Sequence, residues 1–105
     1  MKTLLLFIYF GLILPLAVNE YSLEQNYPNP FNPSTSISYS IAKAGPVKLQ
    51  VFNLLGNDVA TLVNEYKDAG SYKVSFDASR LPGGVYIYIL QSGAFRSSKK
   101  MTIMK

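Results

Sequence analysis

The chain has 105 residues, 49% of them apolar and 15% charged, which is the composition of one small packed domain and not of a disordered chain. Cysteine and histidine are both absent, which excludes disulfides, thiol chemistry and histidine-based catalysis or metal binding. The net charge of +4 is scattered except in the tail, where four bases fall within ten residues without an acid: Arg96, Lys99, Lys100 and Lys105. Bases in this pattern are typical of a solvated sheet edge, where lysine discourages pairing with other chains.

The first residues have the pattern of an export signal. A short basic start at Lys2 precedes an uncharged apolar run that begins at Leu4. Even extended to Val18 this run is shorter than the ~20 residues that span a bilayer as a helix, so we expect no permanent membrane span. We therefore interpret residues 1–19 as a signal-peptide helix that is removed near Ala17, the one good small residue for cleavage.

A proline-rich segment follows. Residues 26–33 read Asn-Tyr-Pro-Asn-Pro-Phe-Asn-Pro, and we call them the proline clip. Three prolines in eight residues fix φ and remove three backbone donors, so the clip cannot be helical. We interpret residues 20–34 as a stiff lead-in to a β domain at 35–105, with Phe31 as its apolar anchor and a short extra strand near residues 21–25.

From residue 35 onward, most runs bounded by turn signals alternate apolar and polar residues, which predicts β-strands. Gly84–Leu90 is the exception, since it is apolar on both faces and periodicity alone predicts a fully buried strand or a short buried helix. Its flanking glycines and aromatic residues favour a strand. Asn53 and Gly56 occupy the favoured first and fourth positions of a type I turn. The polar stretch 64–70 has no strand period and predicts a connection that crosses between sheets, and residues 77–84 predict a long turn above Leu81. The six predicted strands are Thr35–Ile41, Val47–Val51, Val59–Val63, Ser71–Asp77, Gly84–Leu90 and Phe95–Met104.

The apolar phases of these strands predict one core between two sheets. Six strands, or seven with the extra one, give an all-β fold, an immunoglobulin-like antiparallel β-sandwich. An open barrel is the structural alternative, and the long 64–70 connection favours the sandwich. The inward residues that these phases predict are Ile37, Tyr39, Ile41, Val47, Leu49, Val51, Tyr72, Val74, Phe76, Met101 and Ile103.

Four motifs carry a resemblance to a known family. They are residues 21–25 with the proline clip and Thr35-x-Ile37-x-Tyr39, then Val47-x-Leu49-x-Val51-Phe52-Asn53-x-x-Gly56, Gly84-Val85-Tyr86, and the terminal strand. Together they resemble the type A C-terminal sorting domain of the bacterial type IX secretion system, which is immunoglobulin-like and similar to the domain of flagellar hook-capping proteins. The resemblance covers residues 21–105. Because the family often has a charged residue at the position of Ile89, it implies that Tyr86, Tyr88 and Leu90 face inward.

The resemblance implies a sorting module without catalysis of its own. It implies export through the periplasm to the cell surface, recognition by the outer-membrane type IX translocon, and removal by a sortase-like protease. The terminal strand, if it lies at a sheet edge, would bind by strand addition. The candidate sorting-signal residues are Pro28, Asn29, Pro30, Phe31, Gly84, Val85, Tyr86, Lys99, Lys100, Met101, Ile103 and Lys105.

The family's layout places a passenger between the signal and the sorting domain, and none separates residues 1–19 from Tyr21. A truncated or misannotated gene product, a remnant and a free tag are the explanations that stay open. A stand-alone immunoglobulin-like binding or structural domain at the cell surface is the alternative function.

Other classes of function find little support in the residues. No nucleophile lies at a recognisable spacing from a base, and phosphate-loop, dinucleotide and calcium-loop patterns are missing from the sequence. We therefore assign no catalytic, cofactor or metal residues and do not expect an enzyme. Most tyrosines fall on inward strand phases, which argues against a base-stacking platform for nucleic acid.

Overall fold

Alternating residues give seven strands in the computed structural model, which describes residues 20–105. The signal peptide that we assign to residues 1–19 lies outside the described residues. The strands are β1 (Ser22–Leu23), β2 (Ser34–Ile41), β3 (Gly45–Phe52), β4 (Asp58–Lys67), β5 (Gly70–Asp77), β6 (Gly84–Ser92) and β7 (Phe95–Ile103). Over residues 20–105 there is no helix, and so none that could cross a membrane.

The strands form two antiparallel sheets, with the orders β1-β2-β5 and β4-β3-β6-β7. In immunoglobulin terms β1, β2 and β5 take positions A, B and E, and β3, β6 and β7 take C, F and G, with β4 beside β3. The predicted all-β, immunoglobulin-like sandwich is confirmed. The extra strand predicted near residues 21–25 is β1.

The core lies between the two sheets and follows the predicted strand phases. Every predicted inward residue is buried except Tyr72 and Val74, which pack against the core but stay half-buried. Both lie on β5, an edge strand of the smaller sheet, where the second sheet covers the side chains less completely. Leu81 packs beneath the 77–84 turn as predicted, and Phe31 is buried at 3% exposure as the anchor of the clip.

The predicted connection at 64–70 is wrong in its extent. Strand β4 continues to Lys67, so the link to β5 is residues 68 and 69 alone, although it does cross between the sheets. The second half of β4 pairs with β3 from Gly45 to Lys48, but its side chains at Asn64 and Tyr66 are exposed. Backbone pairing at a sheet edge needs no apolar phase, so this half of the strand has no alternation to detect.

The turn between β3 and β4 forms as predicted. Gly56 N–H donates to the Asn53 carbonyl at 3.0 Å, and Asn53 Oδ1 accepts from the backbone N–H groups of Leu55 and Asn57, both at 3.0 Å. Gly56 has a φ of +89°, a conformation that glycine adopts without steric cost.

Candidate functional site

Two of the sequence motifs lie side by side in the larger sheet. The start of β6 pairs with the end of β7, with Gly84 opposite Ile103, Val85 opposite Thr102, and Tyr86 opposite Met101. The Gly84-Val85-Tyr86 motif and the end of the terminal strand, which are separate in the sequence, therefore form one end of one sheet.

The proline clip adds a third segment to this end of the sheet. Phe31 N–H donates to the Thr102 carbonyl at 3.1 Å, and Met104 N–H donates to the Phe31 carbonyl at 2.8 Å, which makes a short parallel pairing along β7. Thr102 N–H donates to Asn29 Oδ1 at 3.0 Å, and Gln25 Nε2 donates to the Lys100 carbonyl at 2.7 Å. The clip and the adjacent Gln25 thus satisfy backbone groups of β7 that point away from β6.

We call this assembly of residues 25–31, 84–86 and 100–104 the clip edge. It corrects the expectation that the terminal strand offers a free edge along its length. β7 is an edge strand, but its second half is already paired by the chain's own clip. Further back along β7, the backbone groups of Arg96 and Ser98 point away from β6 in the same direction as those of Lys100 and Thr102. The clip does not pair with them.

Two buried side chains fix the clip, Asn26 at its start and Phe31 near its end. Asn26 is 2% exposed, and its Nδ2 donates to Thr35 Oγ1 at 3.0 Å and to the Pro28 carbonyl at 3.1 Å. Phe31 meets the ring of Phe76 edge-on, with ring centroids 6.2 Å apart. Within residues 20–105 no buried side-chain nitrogen or oxygen lacks a hydrogen-bond partner, so this polar anchoring is complete.

Tyr88 ties the beginning of the clip to β6. Its hydroxyl accepts the Asn26 N–H at 2.8 Å and donates to the Glu24 carbonyl at 2.7 Å. Burial raises the pKa of Tyr88 to about 12, so the phenol stays neutral and can donate over the whole physiological range.

Tyr86 closes the turn before β6. Its hydroxyl donates to the Pro82 carbonyl four residues upstream at 2.8 Å, which is the tyrosine corner of immunoglobulin-like sandwiches at the start of strand F. Gly84 follows this turn with a φ of +142°, a value that residues with a Cβ rarely adopt. The Gly-Val-Tyr motif therefore has a structural role as well as its place in the clip edge.

The tail bases do not form one basic surface. Lys99 and Lys100 point to opposite faces of β7, Lys99 half-buried on the inner side and Lys100 exposed on the outer side. Lys105 Nζ donates to the Ser79 carbonyl at 3.0 Å, on the turn after β5. The hydrogen bond from Ser79 N–H lowers the pKa of the nearby Asp77 carboxyl, with Lys105 a smaller cause.

The candidate residues divide into two groups by exposure. Phe31, Tyr86, Met101 and Ile103 are buried, so in the folded domain they support the edge and do not reach a partner. Those with exposed side chains or backbone are Pro28, Asn29, Pro30, Gly84, Lys100 and Lys105, while Val85 and Lys99 are half-buried.

Sequence reasoning missed several contributors to this site. Tyr27, 82% exposed, is the largest side chain that the clip presents to solvent. Gln25 and Asn26 make their contacts through amide groups, and no period or spacing in the sequence marks an amide as buried or paired. The described residues contain no group of histidine, cysteine or carboxylate side chains that could hold a metal ion.

One protein family matches the part of the chain that contains the clip edge. A family model described as a secretion system C-terminal sorting domain matches residues 25–104, which include every segment of the clip edge. No curated protein matches the chain.

Proposed function

The chain belongs to the secretion system C-terminal sorting domains, and we propose that it presents its sorting signal on the clip edge. Members of this family are targeting modules of the type IX system, without catalysis of their own, and mark exported proteins. The observation that carries the proposal is the convergence of three distant segments on one edge of the sandwich.

The clip edge has the properties of a rigid recognition surface. Residues 27–30 are exposed, while Asn26 and Phe31 on either side are buried. Prolines at 28 and 30 restrict the backbone of the exposed residues. A loop held in one conformation loses little entropy on binding, so contacts with a partner translate more fully into affinity.

The partners follow from the proposal. We propose that residues 1–19 direct the precursor into the periplasm, that the outer-membrane translocon binds the clip edge of the folded domain, and that a sortase-like protease then separates the domain from its cargo at the cell surface. In this account residues 20–34 and 35–105 act as one unit, because β1 pairs with β2 and Phe31 pairs with β7.

The test of the targeting function is a reporter inserted between residues 19 and 20 and expressed in a bacterium with a type IX system. We expect the reporter at the cell surface in the parent strain and in the periplasm of a strain without the translocon. Surface delivery that is equal in the two strains would contradict the proposal and support a stand-alone surface domain.

A charge reversal locates the signal within the domain. Lys100 is exposed on the clip edge, and Lys100→Glu leaves the buried neighbour Met101 in place. Lys73→Glu is the matched control, because Lys73 is exposed on β5 in the other sheet. We expect folded, periplasm-trapped reporter from the first variant and normal delivery from the second. Equal delivery of both would place the signal away from the clip edge.

A further inference from the structure

The two outer faces of the sandwich differ in chemistry. On the three-stranded sheet, Ser22, Ser40 and Ser71 form one cross-strand row, and Ser36 lies opposite Ser75 in another. The serine side chains are small, uncharged and exposed or half-buried, and the charged residue Lys73 lies opposite Ser38 in the row between them. A surface of this kind offers little apolar area for a protein partner.

The outer face of the four-stranded sheet is apolar at its centre. Phe52 lies opposite Ile87 in one row, and Ile89 occupies the next row of β6 with Gln50 beside it. All three apolar side chains are half-buried and point away from the other sheet. Leu54, from the turn after β3, lines the same depression as Phe52, Ile87 and Ile89.

The turn after β3 adds two leucines that the fold does not use. Leu54 is 68% exposed and Leu55 is 86% exposed, so neither contributes to the core. The turn is closed by Asn53 and Gly56, and its two middle positions accept most residue types. Leu54 continues the apolar sheet face toward solvent, and Leu55 follows it in the turn.

The rim of this face is basic. Lys48, Arg96 and Lys100 are exposed on the outward phases of β3 and β7. Asp58 is the one carboxylate on the outward phases of the four strands, and it already accepts hydrogen bonds from Gln50 Nε2 at 2.6 Å and from a backbone N–H. The uncompensated charge around the apolar centre is therefore positive.

We propose that this basic-rimmed face, defined by Lys48, Phe52, Leu54, Ile87, Ile89 and Arg96, docks onto a protein surface of the export machinery in which carboxylates surround apolar side chains. The proposal rests on the sorting function and adds a second contact surface to the clip edge. Complementary charge steers such an encounter and fixes its orientation, while the apolar centre provides the area that is buried against the partner. A second copy of this chain is a poor occupant, because a two-fold contact would bring like charges together.

Paired charge reversals test the docking surface in the full precursor with the reporter between residues 19 and 20. Lys48→Glu with Arg96→Glu reverses two of the three bases of the rim and leaves Lys100, which also belongs to the clip edge, unchanged. Lys43→Glu with Lys73→Glu is the matched control, since each pair changes two bases to acids and takes the net charge from +4 to 0. We expect the first pair to lower surface delivery about tenfold and the second pair to stay within about twofold of the parent.

The exposed leucines provide an independent arm. Leu54→Ser with Leu55→Ser removes apolar area without opening the core, and we expect a loss of delivery similar to that of the rim reversal with an unchanged melting temperature. Normal delivery of both the rim and the leucine variants would overturn the docking surface. Failure of the parent precursor to reach the surface would instead overturn the sorting function itself.

A photo-crosslinking residue identifies the occupant. Placed at Ile87 in the full chain, it should give an adduct with a protein of the export machinery, and this adduct should be lost in the Lys48→Glu, Arg96→Glu background. The same probe at Ser38, on the outer face of the three-stranded sheet, is the control. An adduct with a second copy of the chain or with lipid, or equal adducts from both positions, would overturn the proposal.

Discussion

Asn26 and Tyr88 lie 62 residues apart in the sequence, and the Asn26 N–H donates to the Tyr88 hydroxyl at 2.8 Å in a buried setting. This bond joins the start of the proline clip to the centre of the larger sheet. It connects the candidate sorting surface to the core of the domain.

Removal of the Tyr88 hydroxyl tests how strongly the clip depends on this bond. Tyr88→Phe keeps the ring but leaves the Asn26 N–H without its acceptor, which should cost about 1–3 kcal/mol of unfolding free energy. Urea denaturation measures the loss. Tyr66→Phe is the control, because Tyr66 is 67% exposed and should change stability by less than about 0.5 kcal/mol. Equal stability of the two variants would show that the bond does not hold the clip.

Tyr88 also predicts how the domain responds to alkali. Burial raises its pKa from 10.0 to about 12, so the neutral phenol contributes stability that is complete below pH 10 and is lost as the pH rises from 10 to about 12. Melting temperatures measured across this interval should fall more steeply for the parent than for Tyr88→Phe. Parallel curves would contradict this origin of the alkaline sensitivity.

Truncations on two strands test the division between the core and the edge of the smaller sheet. Leu90 is fully buried on β6, so Leu90→Ala should cost about 2–5 kcal/mol. Val74 is half-buried on the edge strand β5, and Val74→Ala should cost roughly 1 kcal/mol, from about 0.8 kcal/mol per buried methylene. Equilibrium unfolding compares the two, and equal losses would show that the edge strand is as tightly packed as the centre.

Asn29 tests the clip edge locally. Asn29→Ala removes the acceptor of the Thr102 N–H and should cost about 0.5–1.5 kcal/mol. Hydrogen exchange should show faster exchange of the Thr102 amide, with the β6–β7 amides unchanged. Asn64→Ala, at an exposed position on β4, is the control. Unaltered protection of Thr102 would mean that the clip does not shield this end of the strand.

Much of the fold could be predicted because alternation reports which side of a strand is buried. The phases of β2, β3 and β7 were predicted from this signal, and Phe31 stood out as an apolar residue among turn formers. The phase of β6 came from the family resemblance, because its residues are apolar on both faces. The second half of β4 escaped prediction because its edge pairing is made by backbone groups, which carry no side-chain period.

The candidate site was predicted in its parts and missed in its assembly. The clip, the Gly84 motif and the terminal strand were each singled out in the sequence. Their meeting depends on backbone and amide bonds such as Asn29 to Thr102 and Gln25 to the Lys100 carbonyl, and these residue types are compatible with many other partners. The separation of Lys99 from Lys100 follows from strand alternation and could have been predicted.

The pairing of Phe31 with β7 also sets an order of events during synthesis. The clip leaves the ribosome early, but its partners at residues 100–104 belong to the final strand, so the sandwich cannot close before β7 has been made. Contacts between such distant residues form slowly because a long loop must first be brought together. A domain whose closure waits for its last strand stays open until its synthesis is almost complete.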